Sequence, residues 1–187
     1  MAYYTEQELL ELGFKKIGKN VKISKKASIY NHNQIEIGDN SRIDDFCVIS
    51  GKIKIGRFVH ITPMCLFAGG QLGMKVGDFC TFAYGVKIFT QSDDYSGMTM
   101  TNSNISKKYK NEFISTVNIA EHSIVGAGSM IMPGVTLAEG TSVGAMSLVR
   151  QSTEAWSIYV GNPAKKIKDR SKELLVLEKQ FLEEYQK

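Results

Sequence analysis

The stretch IGDNSR IDDFCV ISGKIK IGRFVH ITPMCL, residues 37–66, carries an isoleucine at every sixth position. The same period returns in VGDFCT FAYGVK IFTQSD, residues 76–93, and in IAEHSI VGAGSM IMPGVT LAEGTS VGAMSL, residues 119–148. A weaker start is visible at Ile17, Ile23 and Ile29. Because an internal repeat outweighs local preferences for helix or strand, this six-residue period decides the fold.

Each hexad is interpreted as a short strand followed by a corner, since glycine, asparagine, aspartate or Pro-Gly occupies the turn. The fourth residue after each key position is small or branched, and Cys47, Cys65 and Cys80 all fall in this slot. Three hexads make a triangular coil, and coils stack about 4.8 Å apart with paired backbone groups. The repeat therefore predicts an all-β parallel β-helix in which the cysteines are small buried residues.

Composition bounds the class of protein. The chain has 187 residues and a formal net charge of +4, but its lysines are scattered, so a nucleic-acid-binding stripe is not indicated. No apolar run approaches the roughly 18 residues of a membrane span, and the N-terminus lacks a signal-peptide core, so a cytoplasmic location is expected. Three cysteines without CxxC spacing indicate neither a disulfide framework nor a zinc site, and no metal is expected.

We expect a single domain: an N-terminal helix and lead-in over 1–16, a β-helix over 17–160, and a tail with a C-terminal helix over 161–187. TEQELLEL contains a capping box from Thr5 to Glu8. Both helices are expected to cover open ends of the coil stack. Residues 93–116 lack the hexad pattern, and the apolar residues among them favour an ordered arm over disorder.

The hexad pattern, together with YVGNPAKKIKDR near its end, resembles the hexapeptide-repeat acyltransferases over about residues 15–168. The likeness is closest to the galactoside and maltose O-acetyltransferases and to sugar acetyltransferases of surface-polysaccharide pathways. It implies a left-handed β-helix, acetyl-CoA as co-substrate and a sugar or nucleotide-sugar acceptor. It also implies a homotrimer with active sites between subunits, in which the loop at 93–116 reaches over a neighbour.

The resemblance also implies residues that bind the cofactor. Small residues at Ala127 and Ala145 match positions where backbone amides bond the pantetheine arm in the family. Lys165 and Lys168 match the two basic residues of the family's tail, which meet the phosphates of coenzyme A. Arg150 matches a position on the last coil that borders the cofactor.

The family's catalytic histidine position falls on Asp93, and a carboxylate with a pKa near 3.9 is a poor base for a sugar hydroxyl. In one interpretation His60, which matches an aromatic position lining the sugar site, is the base and is paired with Asp93. In a second, the acceptor is an amine, which Asp93 holds or relieves of a proton late. In a third, the site is inactive and the loop structural. Asp94, Tyr95 and Thr62 complete the expected substrate-binding set.

The leading hypothesis is transfer of an acetyl group from acetyl-CoA to a sugar hydroxyl, and the alternative is N-acetylation of an amino-deoxy nucleotide sugar. A carbonic-anhydrase-like metalloprotein needs three zinc-binding histidines, but His32, His60 and His122 lie far apart in the sequence. His32 and His122 are interpreted as surface residues. A non-catalytic scaffold is disfavoured because GNPAKKIK supplies a phosphate site that a scaffold does not need.

Overall fold

The computed structural model describes residues 2–185, which wind into a left-handed parallel β-helix of about seven turns. Each turn contributes short strands to three sheets, which form the faces of a triangular prism. Key residues of successive coils pair in register, as in Ile37 with Ile55 and Ile43 with Ile61. The predicted fold class is confirmed.

The elements are as follows. Sheet one contains Lys16–Ile17, Ile35–Ile37, Ile53–Ile55, Met74–Val76, Val117–Ile119 and Thr136–Leu137. Sheet two contains Lys22–Ile23, Arg42–Ile43, His60–Ile61, Thr81–Phe82, Ile124–Val125, Ser142–Val143, Ser157–Val160 and, antiparallel at its edge, Lys165–Asp169. Sheet three contains Ser28–Ile29, Val48–Ser50, Leu66–Ala68, Lys87–Phe89, Met130–Ile131 and Leu148–Val149. Short 3-10 turns lie at His32–Gln34 and Lys107–Tyr109, and a separate antiparallel ribbon pairs Gln91–Ser92 with Phe113–Ile114.

The interior of the prism is filled by the key residues of the hexads, which are almost fully buried. Phe67 and Phe82 meet edge to face there, with ring centroids 4.9 Å apart. Cys47, Cys65 and Cys80 are buried free thiols that donate to backbone carbonyl oxygens. Burial raises the pKa of Cys80 to about 12, so this thiol stays protonated. The predicted packing role of the cysteines is confirmed.

The corners of the prism carry unusual backbone conformations. We call the turn from sheet one to sheet two the first corner, that from sheet two to sheet three the second, and that from sheet three to sheet one the third. Residues other than glycine with positive φ at the first two corners are Asn20, Asn40, Phe46, Phe58, Met64, Phe79, His122, Met146 and Trp156. This conformation costs a residue with a side chain about 1 kcal/mol or more, so these side chains must contribute to stability or to function in another way.

Helix α1, Glu6–Glu11, covers the first coil as expected. The predicted capping box is present: the backbone amide of Glu8 donates to the Thr5 hydroxyl at 3.2 Å, and the Thr5 amide donates to the Glu8 carboxylate at 2.7 Å. Leu9 is buried and joins the hydrophobic core.

Helix α2, Leu174–Tyr185, does not cover the open end of the coil stack, and that expectation is wrong. The antiparallel strand Lys165–Asp169 turns the chain back along sheet two, so that α2 runs down the side of the prism at the first corner. Its N-terminal approach is tied near Trp156, where the amide of Arg170 donates to the Trp156 carbonyl at 2.7 Å, and Tyr185 donates from its hydroxyl to Asn40 at 2.6 Å. Neither α1 nor α2 is long and apolar enough to cross a membrane.

Residues 93–112, which we call the arm, leave the β-helix at the third corner through the ribbon that begins at Gln91. The arm has internal structure: the Asp94 carboxylate accepts from the Ser96 amide and from the Thr99 hydroxyl, both at 2.8 Å. The side chains of Tyr95 and Met98 nevertheless project into solvent, with 91% and 87% of their surface exposed. The arm is therefore ordered at its base but presents bare apolar side chains at its tip.

Candidate active site

A buried carboxylate organises the outer face of sheet two. The Asp44 side chain is only 2% exposed, and its Oδ1 accepts a hydrogen bond from Arg42 Nε at 2.6 Å and another from the Tyr3 hydroxyl at 3.3 Å. Its Oδ2 lies 2.9 Å from His60 Nε2. Burial raises the pKa of Asp44, but the bonds from Arg42 and His60 outweigh burial and hold that pKa below its ordinary value.

The repeat explains why these side chains meet. Arg42 and His60 are register partners on successive coils, so their side chains stand next to each other on the outer face of sheet two. Asp44 lies two residues after Arg42 and therefore points to the same face. Thr81 continues the column above His60. Sequence reasoning missed Asp44, although the spacing of the coils already placed residue 42 beside residue 60.

Asp93 lies elsewhere in the chain. It follows sheet three at the third corner, where the neighbouring Thr90 hydroxyl donates to the Ala68 carbonyl at 2.9 Å. Sheet two is the face of the prism that lies opposite this corner. Among residues 2–185, the carboxylate that His60 contacts is that of Asp44. A pair between His60 and Asp93 would therefore require two copies of the chain.

The expected substrate-binding residues are spread in the same way. Asp94 and Tyr95 belong to the arm, where the Asp94 carboxylate is already engaged by Ser96 and Thr99, bonds that lower its pKa. Thr62 lies one coil above Asp44 on sheet two and is 8% exposed, so it offers little surface to a ligand. A single copy does not bring these residues together.

The second corner has the features expected of a cofactor groove. Ala127 and Ala145 are small, and among residues 2–185 neither of their backbone amides donates a hydrogen bond to another backbone group. The corner also carries large apolar side chains that are more than half exposed, which we call the open ladder. Its members are Phe46, Met64, Tyr84 and Met146.

The GNPA segment brings basic residues to the end of this corner. The Leu148 amide donates to the Gly161 carbonyl at 2.9 Å, and the Ala164 amide donates to the Leu148 carbonyl at 2.8 Å. These bonds hold the start of the strand Lys165–Asp169 beside the last coil, with Lys165 and Lys168 exposed. Arg150 is exposed at the end of sheet three on the same coil.

The three lysines of this strand differ in their partners. Lys166 is paired with Glu154 at 2.8 Å and with Asp169 at 2.9 Å, and these bonds raise its pKa. Lys165 and Lys168 form no ion pair within residues 2–185. The lysines that the resemblance implies are thus the two whose charge is left for a ligand.

The first corner carries a second ladder, which we call the closed ladder because α2 covers it: Phe58, Phe79, His122 and Trp156. Ring centroids of successive members are 4.9, 5.5 and 6.0 Å apart. His122 is buried and its Nε2 lies 3.2 Å from the Glu178 carboxylate of α2, so the expectation of a surface histidine is wrong. The available signal was the aromatic residue three positions after the key residues Ile55 and Val76.

Comparisons with known proteins extend this picture. The chain is 44% identical over 184 residues to a dTDP-4-amino-4,6-dideoxy-D-glucose acyltransferase of Escherichia coli, which covers 97% of this chain and 95% of that protein. It superposes on AntD, an N-acyltransferase from Bacillus cereus solved in complex with dTDP and 3-hydroxybutyryl-CoA, with a TM-score of 0.97 and 43% identity over 99% of this chain and 98% of AntD.

More distant likeness is limited to the fold. A maltose O-acetyltransferase from Clostridium difficile 630 superposes with a TM-score of 0.56 and 22% identity, covering 89% of this chain and 75% of that one. No family profile matches the chain. The 44% identity to the Escherichia coli enzyme extends over nearly the whole chain. Together with the coil architecture, it shows that the chain belongs to the hexapeptide-repeat acyltransferase family.

Proposed function

We propose that this protein transfers an acyl group from acyl-coenzyme A to the amino group of a dTDP-4-amino-4,6-dideoxy sugar. The observation that carries the proposal is the similarity, over nearly the whole chain, to an acyltransferase and an N-acyltransferase that are both associated with dTDP or its amino sugar. This similarity favours the N-acylation alternative over transfer to a sugar hydroxyl. An aspartate at the family's histidine position fits the same choice, because a neutral amine needs no strong base before it attacks.

The proposal includes a homotrimer whose active sites lie between subunits. Three features of the single chain support this assembly: Asp93 and His60 are on opposite sides of the prism, the open ladder is uncovered, and Tyr95 and Met98 at the arm tip are bare. In a closed ring of three copies, the arm of one subunit reaches sheet two and the second corner of the next. Each site then takes Asp93 from one copy and His60 from its neighbour.

Coenzyme A is proposed to lie along the second corner. The amides of Ala127 and Ala145 donate to the amide carbonyls of pantetheine, while Lys165, Lys168 and Arg150 meet the phosphates. This placement directs the thioester toward the face that carries His60. Tyr95 is proposed to border the nucleotide sugar together with the small exposed part of Thr62, and Asp94 shapes the arm that carries Asp93.

The reaction then follows from the groups at the interface. The lone pair of the sugar amine attacks the thioester carbonyl carbon, so a C–N bond forms, and the C–S bond breaks as the tetrahedral intermediate collapses. Asp93 accepts a hydrogen bond from the amine and orients it. His60 takes the proton that the nitrogen loses and passes it to the departing thiolate, so that free coenzyme A leaves as a thiol.

Release of the coenzyme A thiol tests the proposal. We expect turnover with dTDP-4-amino-4,6-dideoxyglucose when at least one of acetyl-CoA and 3-hydroxybutyryl-CoA is the acyl donor. We expect no turnover with the matched dTDP sugar that carries a hydroxyl in place of the 4-amino group. Comparable turnover with the hydroxyl sugar would restore O-acylation, and turnover with neither sugar would overturn the proposed acceptor. His60→Ala should abolish turnover but leave coenzyme A affinity in place, whereas an unchanged rate would remove His60 from the mechanism.

A further inference from the structure

The contact between His60 and Asp44 determines which ring nitrogen of His60 carries a proton. An ionised carboxylate can only accept hydrogen bonds. Asp44 is held in that form because Arg42 and Tyr3 both donate to its Oδ1. Its Oδ2, 2.9 Å from His60 Nε2, therefore accepts a hydrogen bond from an N–H at Nε2.

The other ring nitrogen is left available. A neutral imidazole has one N–H, so a proton on Nε2 leaves the lone pair on Nδ1. Nδ1 makes no hydrogen bond within residues 2–185, and 40% of the His60 side chain is exposed on the outer face of sheet two. The lone pair is thus open to a ligand that approaches this face.

We infer that Asp44 is a positioning residue that fixes His60 in the Nε2–H form and makes Nδ1 the atom that accepts the proton from the attacking amine. The catalytic part of this inference rests on the proposed function. As the C–N bond forms, the proton leaves the sugar nitrogen for Nδ1, and it passes to the thiolate sulfur once the C–S bond has broken. Asp44 stays ionised and touches no substrate atom, so it acts only through the orientation of the ring.

The surrounding residues explain why the carboxylate is suited to this role. Asp44 has almost no contact with solvent, and a buried carboxylate without partners would take up a proton. Arg42 compensates the charge on Oδ1 from the same strand, and Tyr3 adds a second donor from the N-terminal segment. Burial of Tyr3 and the nearby negative charge of Asp44 raise the pKa of Tyr3. Its hydroxyl therefore stays protonated and can donate a hydrogen bond. Both donors leave Oδ2 to His60.

Long-range proton–nitrogen NMR of the full-length protein tests the tautomer without substrate. The His60 signals are assigned by their absence in His60→Gln. In the wild-type protein at a pH where the ring is neutral, we expect the proton on Nε2. A proton on Nδ1 would overturn the inference, whatever the identity of the acyl acceptor.

Asp44→Asn provides the matching perturbation. Its amide oxygen can still accept from Arg42, and its NH₂ group then faces the ring, so the proton should move from Nε2 to Nδ1. Because the ring lone pair would then lie on Nε2, which faces the substituted amide, Nδ1 could not accept the proton from the amine, and kcat should fall about a hundredfold or more. The KM for acyl-coenzyme A should change less than about threefold, since the effect is confined to the chemical step.

Asp45→Asn is the matched control, because it removes the same charge one residue away. The Asp45 carboxylate accepts from the Ser24 hydroxyl and lies 3.8 Å from Lys26, and it does not contact His60. This variant should keep both the tautomer and kcat. If Asp44→Asn leaves the ring proton and kcat unchanged, Asp44 does not position His60. If the proton moves while kcat stays the same, Nδ1 is not the base. The wild-type spectrum remains a test even if Asp44→Asn does not fold.

Discussion

The closed and open ladders occupy neighbouring corners of one prism but end in different surroundings. At the first corner, Phe79 stacks between Phe58 and His122, and Phe181 of α2 packs edge-on against the stack. At the second corner, large apolar side chains of comparable size lie exposed. Three of the four open-ladder residues have positive φ, so they carry the same backbone cost as the closed ladder although more than half of each side chain stays exposed. The difference indicates that the first corner stabilises the fold, and it supports the proposal that the second corner receives a ligand or a second copy.

The largest expected effect concerns the closed ladder. Trp156 is buried, stacks on His122 with ring centroids 6.0 Å apart, and its ring lies where a Cβ at Gly140 would be. Trp156→Ala should therefore lower the free energy of unfolding by about 3–5 kcal/mol. Urea denaturation at a fixed protein concentration measures this change.

The control is Val176→Ala on the exposed side of α2, which should change the free energy of unfolding by less than about 0.5 kcal/mol. Equal losses in the two variants would mean that the first corner is no more structural than the surface around it.

The next effect concerns Asp93 at the third corner, where the chain leaves the prism. The Asp93 carboxylate makes no hydrogen bond or ion pair within residues 2–185, so Asp93→Asn should leave the unfolding transition unchanged. Turnover should fall about a hundredfold, equivalent to about 2.7 kcal/mol in the activation barrier. Steady-state kinetics with the amino sugar measures the loss. A variant that keeps its rate but unfolds more easily would make the arm a structural element only.

A structural feature could be predicted from the sequence where the hexad repeat determines the position of its residues. The hexad period fixes which side chains point inward, so the isoleucine columns, the buried cysteines and the capping box at Thr5 were predicted correctly. The same period sets Arg42 beside His60, so the Asp44 contact was accessible but overlooked. The path of α2 was not, because it depends on the reversal at Lys165–Asp169, which follows the last hexad. The arm likewise lies outside the repeat, so the hexad period does not determine its path or its separation from His60.

A smaller effect tests whether the arm tip packs against a second copy. The double variant Tyr95→Ala and Met98→Ala removes the bare side chains of the arm tip and should leave the stability of the isolated subunit unchanged. If the arm packs on a neighbour, association should weaken by about 2 kcal/mol in total, or roughly thirtyfold in the dissociation constant.

Sedimentation over a concentration series measures the association. Leu10→Ala is the control, because Leu10 is also well exposed but lies on α1. Identical sedimentation of the arm variant and the wild type would mean that the arm tip does not hold the assembly together.

The smallest effect distinguishes two adjacent lysines at the end of the open corner. Lys165 forms no ion pair within residues 2–185, whereas Lys166 is already paired with Glu154 and Asp169. Lys165→Ala should raise the KM for acyl-coenzyme A about fivefold, the size expected for one solvent-exposed charge contact, and Lys166→Ala should change it less than about twofold. High salt should reduce the difference, because exposed charges are screened. If the two variants are equal, the phosphates do not lie beside Lys165, and the second corner loses the feature that most directly marks it as the cofactor groove.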